Sequence, residues 1–239
     1  MTVGNPGAVG AVPWQGGPLV FVEDLDQPEL SAADHHHLAR VRRVRDGDRL
    51  VIADGSGHWM TAVMAGTRPE PTGGRHRVPE PEPEITIAFA LTKGHKPDLV
   101  VQKLTELGVD RLVPFVAARS VVRWDDRQMR AHHQRWQVVA REAAMQSRRA
   151  AIPVVEEVES YAQVAARPGA CRADDGGGAP SLAKPVVLIG PEGGWSEEER
   201  RVEIAGVSLG DGVLRAETAA IAAATMLGAL RAELVAERN

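Results

Sequence analysis

Residues 186–194 run Val-Val-Leu-Ile-Gly-Pro-Glu-Gly-Gly, an apolar stretch that stops abruptly in a loop of glycine and proline. A continuous apolar run bounded in this way predicts a strand buried on both faces, as inside a parallel sheet. Pro191 fixes one φ angle, whereas Gly190, Gly193 and Gly194 allow conformations and close approaches that a Cβ blocks. Trp195 follows, and Ser196 to Glu199 has the Ser-x-x-Glu spacing of a capping box opening a helix. Open α/β sheets bind ligands in loops at the C-terminal ends of their strands. The loop is therefore a candidate site, with a tight, ligand-free strand-to-helix turn as the alternative.

The run Pro79-Glu80-Pro81-Glu82-Pro83-Glu84 disfavours helix and sheet alike and predicts an extended linker over 79–84. It follows another loose stretch, Arg68 to Arg77. Within residues 1–78, strands are expected at Leu19–Glu23, Arg49–Ala53 and His58–Ala65, the last two joined by a turn at Asp54-Gly55-Ser56-Gly57. A helix is expected from Ser31 to Arg45. Short strands in so small a unit suit a small β-barrel. Across residues 85–239 strands and helices alternate. Strands are expected at Ile85–Leu91, Arg111–Val116, Pro153–Val155, 186–190 and Gly206–Leu209. Helices are expected from Pro97 to Gly108, from Asp126 to Arg149, from Ser196 and from Ala216, while residues 167–185 read as a flexible loop. Such alternation implies an α/β domain with a parallel sheet.

The 239 residues suffice for one large domain or two modest ones, and 44% hydrophobic with 25% charged residues is ordinary for a soluble globular protein. The single cysteine, Cys171, excludes an intramolecular disulfide and suits a reducing, cytoplasmic setting. No apolar run is long enough for a membrane helix. Met1 to Pro18 lacks the basic start and apolar core of a signal peptide and reads as a flexible leader. Net charge is −4, yet cations cluster. Eight arginines lie between Arg119 and Arg149 (Arg119, Arg123, Arg127, Arg130, Arg135, Arg141, Arg148 and Arg149), opposed only by Asp125, Asp126 and Glu142. A second cluster holds Arg40, Arg42, Arg43, Arg45 and Arg49, and a third holds Lys93, Lys96 and Lys103. These patches suit a phosphate backbone, or else are solvated helix faces.

Several chemistries are disfavoured. In a helix, His35-His36-His37 and His132-His133 point about 100° apart residue by residue and cannot converge on one ion, so no metal is expected. Gly176-Gly177-Gly178 precedes Lys184-Pro185 rather than the Lys-Ser/Thr of a phosphate loop. Ser56 is a turn residue, and Cys171 has no evident base. A second glycine-bearing segment, Leu209-Gly210-Asp211-Gly212-Val213-Leu214-Arg215-Ala216-Glu217-Thr218-Ala219, again leads from a strand into a helix. Two such loops can wall one pocket, with Arg215 and Glu217 at its rim; an exposed ion pair at a helix start is the bland alternative.

Together, Ile189 to Gly194 and Leu209-Gly210 with Leu214-Arg215-x-Glu217-Thr218-Ala219 resemble the knotted SPOUT methyltransferases, and more closely the RsmE family. His36-His37-Leu38, Gly47-Asp48, Thr92-Lys93-Gly94 and Gln102 to Val109 extend the resemblance along most of the chain. It implies a PUA-like RNA-binding barrel, a C-terminal trefoil-knotted α/β domain, S-adenosylmethionine (SAM) as methyl donor and a homodimer. The implied reaction is methylation at N3 of one uridine of 16S ribosomal RNA, free or in the small subunit. Cofactor binding is carried onto Leu188, Ile189, Gly190, Pro191, Glu192, Gly193, Gly194, Leu209, Gly210, Leu214, Arg215, Glu217, Thr218 and Ala219. Where the family often has Pro or Ser and then Arg after Leu-Gly, this chain has Asp211-Gly212, so a cation is missing there.

Uracil N3 must lose a proton before it attacks, and Arg215 is the candidate catalytic residue, stabilising the anionic ring. Arg40, Arg43, Lys93, Lys96, Arg119, Arg123, Arg148 and Arg149 are the candidates for RNA binding. Rival readings are a knotted methyltransferase for another rRNA or tRNA site, and a non-enzymatic ribosome-assembly factor.

Overall fold

The computed structural model describes residues 17–36, 38 and 43–237. Residues 1–16 of the leader expected over Met1 to Pro18, and Arg40, lie outside the described residues. The chain divides into two compact units: one reaches to Pro81 and takes in Arg141–Ile152, the other comprises Glu82–Ala140 and everything from Pro153.

The first unit contains β1 (Leu19–Phe21), α1 (Ala32–His36), β2 (Arg49–Ala53), β3 (His58–Ala65), β4 (Arg68–Pro71) and β5 (His76–Arg77). The strands β1 to β4 are neighbours in sequence order, and β5 also pairs with β3. β1 and β2 are parallel, whereas β3 is antiparallel to its partners. The pattern of β2 explains its central place: Leu50 and Ile52 pack with Met60, Met64 and Leu38, while Val51 and Ala53 pack with Trp59, Ala144 and Ala150. Both faces are thus covered, the second by the Arg141–Ile152 segment.

That segment is held by charge as well. The Arg141 guanidinium donates to both carboxylate oxygens of the buried Asp34 at 3.0 and 2.8 Å, and to the Phe21 carbonyl at 3.3 Å. Two expectations change here. Residues 43–45 are not helical, and Arg43 has φ 55°, a left-handed conformation that ends any right-handed helix before it. The stretch Arg68 to Arg77, read as loose, supplies β4 and β5. The latter is backed by a stack of His76 on Trp59 at 4.4 Å between ring centroids.

The second unit contains β6 (Thr86–Ala90), α2 (Lys96–Glu106), β7 (Arg111–Val116), most of α3 (Asp126–Ser147), β8 (Val154–Val155), β9 (Glu159–Ser160), α4 (Tyr161–Ala165), β10 (Ala170–Gly178), β11 (Val186–Ile189), α5 (Glu197–Arg201), β12 (Ala205–Val207) and α6 (Ala216–Arg231). Its sheet runs β12-β10-β11-β6-β7-β8, with β9 on β7, and every pairing is parallel. β11 sits inside this sheet and is buried at all four positions, as its apolar sequence requires. The alanine stripe of α6 (Ala219, Ala220, Ala223, Ala224) is buried, and α6 packs on α2 and β6. At the far end of α6, Arg231 pairs with Asp110 and donates to the carbonyls of Gly108 and Pro83. Asp110 also accepts the Ile85 amide at 2.9 Å, so one ion pair ties α6 to the starts of β6 and β7.

The segment 167–185 departs most from expectation, because it contains β10 between β11 and β12. Its apolar signal is weak for two reasons. Only Ala170 to Arg172 pair with β11, and the buried Arg172 is neutralised by Asp174 and by carbonyl and hydroxyl partners. Its glycines serve contact: a Cβ on Gly177 would lie 2.4 Å from the Val207 amide nitrogen. Cys171 is buried in this strand, and desolvation pushes its thiol up to about 11. The folded protein is therefore expected to resist alkylation at pH 8 and to react once denatured, as mass measurement of adducts would record. Gly177→Ala forces β10 and β12 apart and is expected to lower the unfolding free energy by about 1–3 kcal/mol, readable from urea denaturation.

Candidate active site

The apolar run ends at Ile189, and the chain turns at once. The Gly194 amide donates to the Pro191 carbonyl at 2.9 Å, with Gly194 at φ 70°. Trp195 then enters the core: its ring stacks on Phe115 and its indole N–H donates to the Ala173 carbonyl at 2.9 Å. Glycine fits beside it, since a Cβ at position 190 would meet the indole at a tight 3.0 Å. The expected capping box forms in both directions, Ser196 amide to Glu199 carboxylate at 2.7 Å and Glu199 amide to Ser196 hydroxyl at 3.2 Å. The other oxygen of the buried Glu199 accepts the Ala118 amide at 2.8 Å, so the cap also fixes the chain beyond β7.

The second glycine-bearing segment leaves β12 after Val207, passes Gly210 at φ 142° and enters α6, whose N-cap is Arg215. Between the two loops lies the end of β10. Ala173 and Gly178 both register with Val207, so the ladder is irregular between them, and Asp174 falls in that interval. The three strand ends enclose a cleft of about 240 Å³. Of the residues singled out from sequence, Ile189, Gly190, Pro191, Glu192, Gly194, Leu209, Gly210, Leu214 and Ala219 line it. Leu188 is fully buried beneath, in the core. Gly193, Arg215, Glu217 and Thr218 are outside the lining, and Arg215 is exposed with no side-chain cap hydrogen bond. Sequence reasoning missed Asp174, Trp195, Arg200 and Ser208, which do line the cleft. Asp174 and Arg200 pair at 2.6 Å across its rim. The Asp-Asp pair before three glycines was the only trace of that wall in the sequence.

The cations expected at RNA take several positions. Lys96 lies 2.7 Å from Glu192 and 3.6 Å from Glu217. Its ammonium holds Glu192 below its ordinary pKa, and the two carboxylates raise that of Lys96 in return. Arg119 donates to the Gly193 carbonyl at 3.1 Å, and Arg123 donates to the carbonyls of Ser120 and Val122. Arg135 pairs with Asp98 at 2.7 Å, and Asp98 also accepts the Trp136 indole N–H. Lys93 and Arg43 are exposed, whereas Arg148 and Arg149 are partly buried at the end of α3, Arg148 with φ 59°. Among the described residues, no group of three or more His, Cys, Asp or Glu could hold a metal ion, and no helix is long and apolar enough to cross a membrane.

Three parallel strand ends with glycine-rich loops thus form a cleft at the place where open α/β sheets bind ligands. The comparisons specify the class. An RNA methyltransferase domain family matches residues 79–228, and an RNA methyltransferase PUA domain family matches 30–69. "Ribosomal RNA small subunit methyltransferase E" of Mycobacterium bovis is 34% identical over 81% of this chain and 83% of its own. The enzyme of that name from Neisseria gonorrhoeae, solved bound to S-adenosyl methionine, superposes with a TM-score of 0.73 at 26% identity, covering 90% of this chain and 98% of its own. A Legionella pneumophila protein solved with the bound cofactor SAM gives 0.76 at 27% identity, covering 89% of this chain and 97% of its own. The chain belongs to the RNA methyltransferase family, with a PUA domain before the methyltransferase domain.

The Lys96 contact carries a pH prediction. Glu192 has a depressed pKa in the folded state, so its contribution to stability is present above its ordinary 4.5 and is lost as pH falls through the lower folded value. An NMR titration is expected to place Glu192 below 4.5. Glu192→Gln is expected to flatten that part of the stability-pH curve.

Proposed function

We propose that this chain transfers a methyl group from SAM to N3 of one uridine in 16S ribosomal RNA, acting in the cytoplasm as a homodimer with a trefoil-knotted catalytic domain. The single observation that carries the reading is the meeting of the Gly190–Gly194 and Leu209–Ala219 segments in one cleft, within a chain of the RNA methyltransferase family. The names of its relatives support the small-subunit rRNA as substrate.

The cleft suits the proposed cofactor. Ile189, Leu209 and Leu214 offer apolar walls for an adenosine, and the glycines leave backbone groups unobstructed. Asp174 and Glu192 bring carboxylates to the lining, paired with Arg200 and Lys96 respectively. Gly193, Glu217 and Thr218 belong to the same loop and helix turn outside the lining, and Leu188 anchors the strand in the core. When bound, SAM supplies an electrophilic methyl group on a positively charged sulfur. Every other contribution comes from this chain and is one of positioning and charge.

Arg215, exposed at the N-cap of α6, is assigned to the uracil ring, whose negative charge grows as N3 gives up its proton. N3 lies on the Watson–Crick edge, so the uridine has to be unpaired or flipped to reach the cleft. Lys93, Arg43, Arg123, Arg127, Arg130, Arg148 and Arg149 are assigned to the RNA backbone, with Arg40 as a further candidate from sequence.

Calorimetry with SAM is the first test, and no measurable binding would sink the enzymatic reading in favour of an assembly factor. Mass mapping of rRNA from a deletion strain, before and after adding the protein, then identifies the nucleotide; a modification on tRNA or another rRNA site would replace the substrate named here. Arg215→Ala is expected to cut the methylation rate on the order of a hundredfold or more while leaving SAM affinity nearly intact. Equal loss of both would reassign Arg215 to cofactor binding.

A further inference from the structure

Lys96 stands in a basic cluster of the sequence, between Lys93 and Lys103, yet its side chain turns inward to two acids. It is the first residue of α2, and its Nζ lies 2.7 Å from Glu192 Oε1 and 3.6 Å from Glu217 Oε2. Glu192 belongs to the loop after β11, whereas Glu217 belongs to the first turn of α6. These are the two segments whose lining residues wall the cleft, one on each side. Glu217 Oε2 is buried without a hydrogen-bond partner, and the ion pair with Lys96 opposes the cost of that burial. Glu192 lines the cleft whereas Lys96 and Glu217 do not, so Lys96 acts on the wall from outside the lining.

A compact ammonium with three donors can serve two carboxylates at once, and it draws both toward itself. Arg119 works on the same loop from another element, donating to the Gly193 carbonyl at 3.1 Å. The loop Pro191–Gly194, short and glycine-rich, is thereby held by cations at two consecutive residues.

We propose that Lys96 is a positioning residue for methyl transfer, setting the separation between the Pro191–Gly194 loop and the first turn of α6 and hence the fit of the cofactor cleft, rather than neutralising an RNA phosphate. The inference rests on the reading of the cleft as the methyl-donor site. It ascribes to Lys96 an effect on cofactor affinity and none on the counterions released by RNA.

The test uses the full-length protein, wild type and the variants Lys96→Met, Lys96→Arg, Glu192→Gln and Lys96→Met/Glu192→Gln. SAM dissociation constants come from calorimetry, methylation is measured against SAM and RNA concentration, and RNA affinity is measured across salt concentration. Lys96→Met is expected to raise the dissociation constant and KM for SAM on the order of tenfold. It is expected to leave the slope of log RNA affinity against log salt unchanged. Lys96→Arg should recover most of the SAM affinity, and the double variant should lose less than the sum of the two single losses. Unchanged SAM affinity in Lys96→Met, or a salt slope smaller by about 0.7–0.9, would overturn the proposal and return Lys96 to the RNA backbone. Loss of affinity that tracks a fall in thermal midpoint and is not restored by Lys96→Arg would overturn it in favour of a general structural role. Absence of SAM binding in the wild type is a separate result, and it removes the methyl-donor reading itself.

Discussion

The indole of Trp195 is the fixed point on which the site is built. Its ring is buried against Phe115 and Tyr161, and its N–H reaches the Ala173 carbonyl at 2.9 Å. One side chain therefore joins the end of β11 to the end of β10 and presses both onto β7. Truncating a buried tryptophan costs about 3–5 kcal/mol in general, so the loop before it is tied to a strong anchor. The anchor dictates its surroundings: a Cβ on Gly190 would crowd the indole, and the chain must turn within Pro191 to Gly194 to deliver Ser196 to its cap. The cleft is what remains between this rigid corner and the segment that follows β12.

Charge is used in two ways, and magnitude decides what each pair does. Asp34 is almost fully buried, and Arg141 meets it through two parallel hydrogen bonds. Removing Arg141 would leave the buried Asp34 carboxylate without this counter-ion, which is strongly destabilising. Arg231 with Asp110 is of the same kind and locks the end of α6. Lys96 with Glu192 is solvent-accessible on both sides, and a pair of that sort contributes at most about 1 kcal/mol to stability. Its worth lies in geometry, since Lys96 connects the loop after β11 to the first turn of α6.

Much of the fold was legible because the strands and helices of the second unit announce themselves by pattern. Val186–Ile189 and Arg111–Val116 are apolar runs, Ser196 with Glu199 marks a helix start, and the alanine stripe of α6 has helical spacing. The two loops of the cleft were legible for the same reason, as glycine-rich endings of readable strands. What escaped was whatever depends on partners far along the chain. Glu199 looks like a cap, and only the fold shows that it also holds Ala118. Arg119, Arg135 and Arg141 look like a basic face, yet each meets an acceptor that sequence spacing gives no means of finding. A count of arginines measures supply of positive charge; it does not measure how much is left over.

The strand β10 shows why the third wall of the cleft could not be read. Strand patterns signal the burial of side chains, but this strand is placed by the approach of backbones. A Cβ on Gly206 would come within 3.3 Å of the Gly177 Cα, and one on Gly177 would collide with Val207, so the pair allows β10 and β12 to close up. Glycine is selected here by contact, though in composition it is indistinguishable from a linker. Beside this close approach the register is irregular, a β-bulge in which Ala173 and Gly178 both face Val207. That bulge brings Asp174 to the cleft and into reach of Arg200. A wall made this way needs small residues and a turn, which are the features that sequence patterns assign to loops.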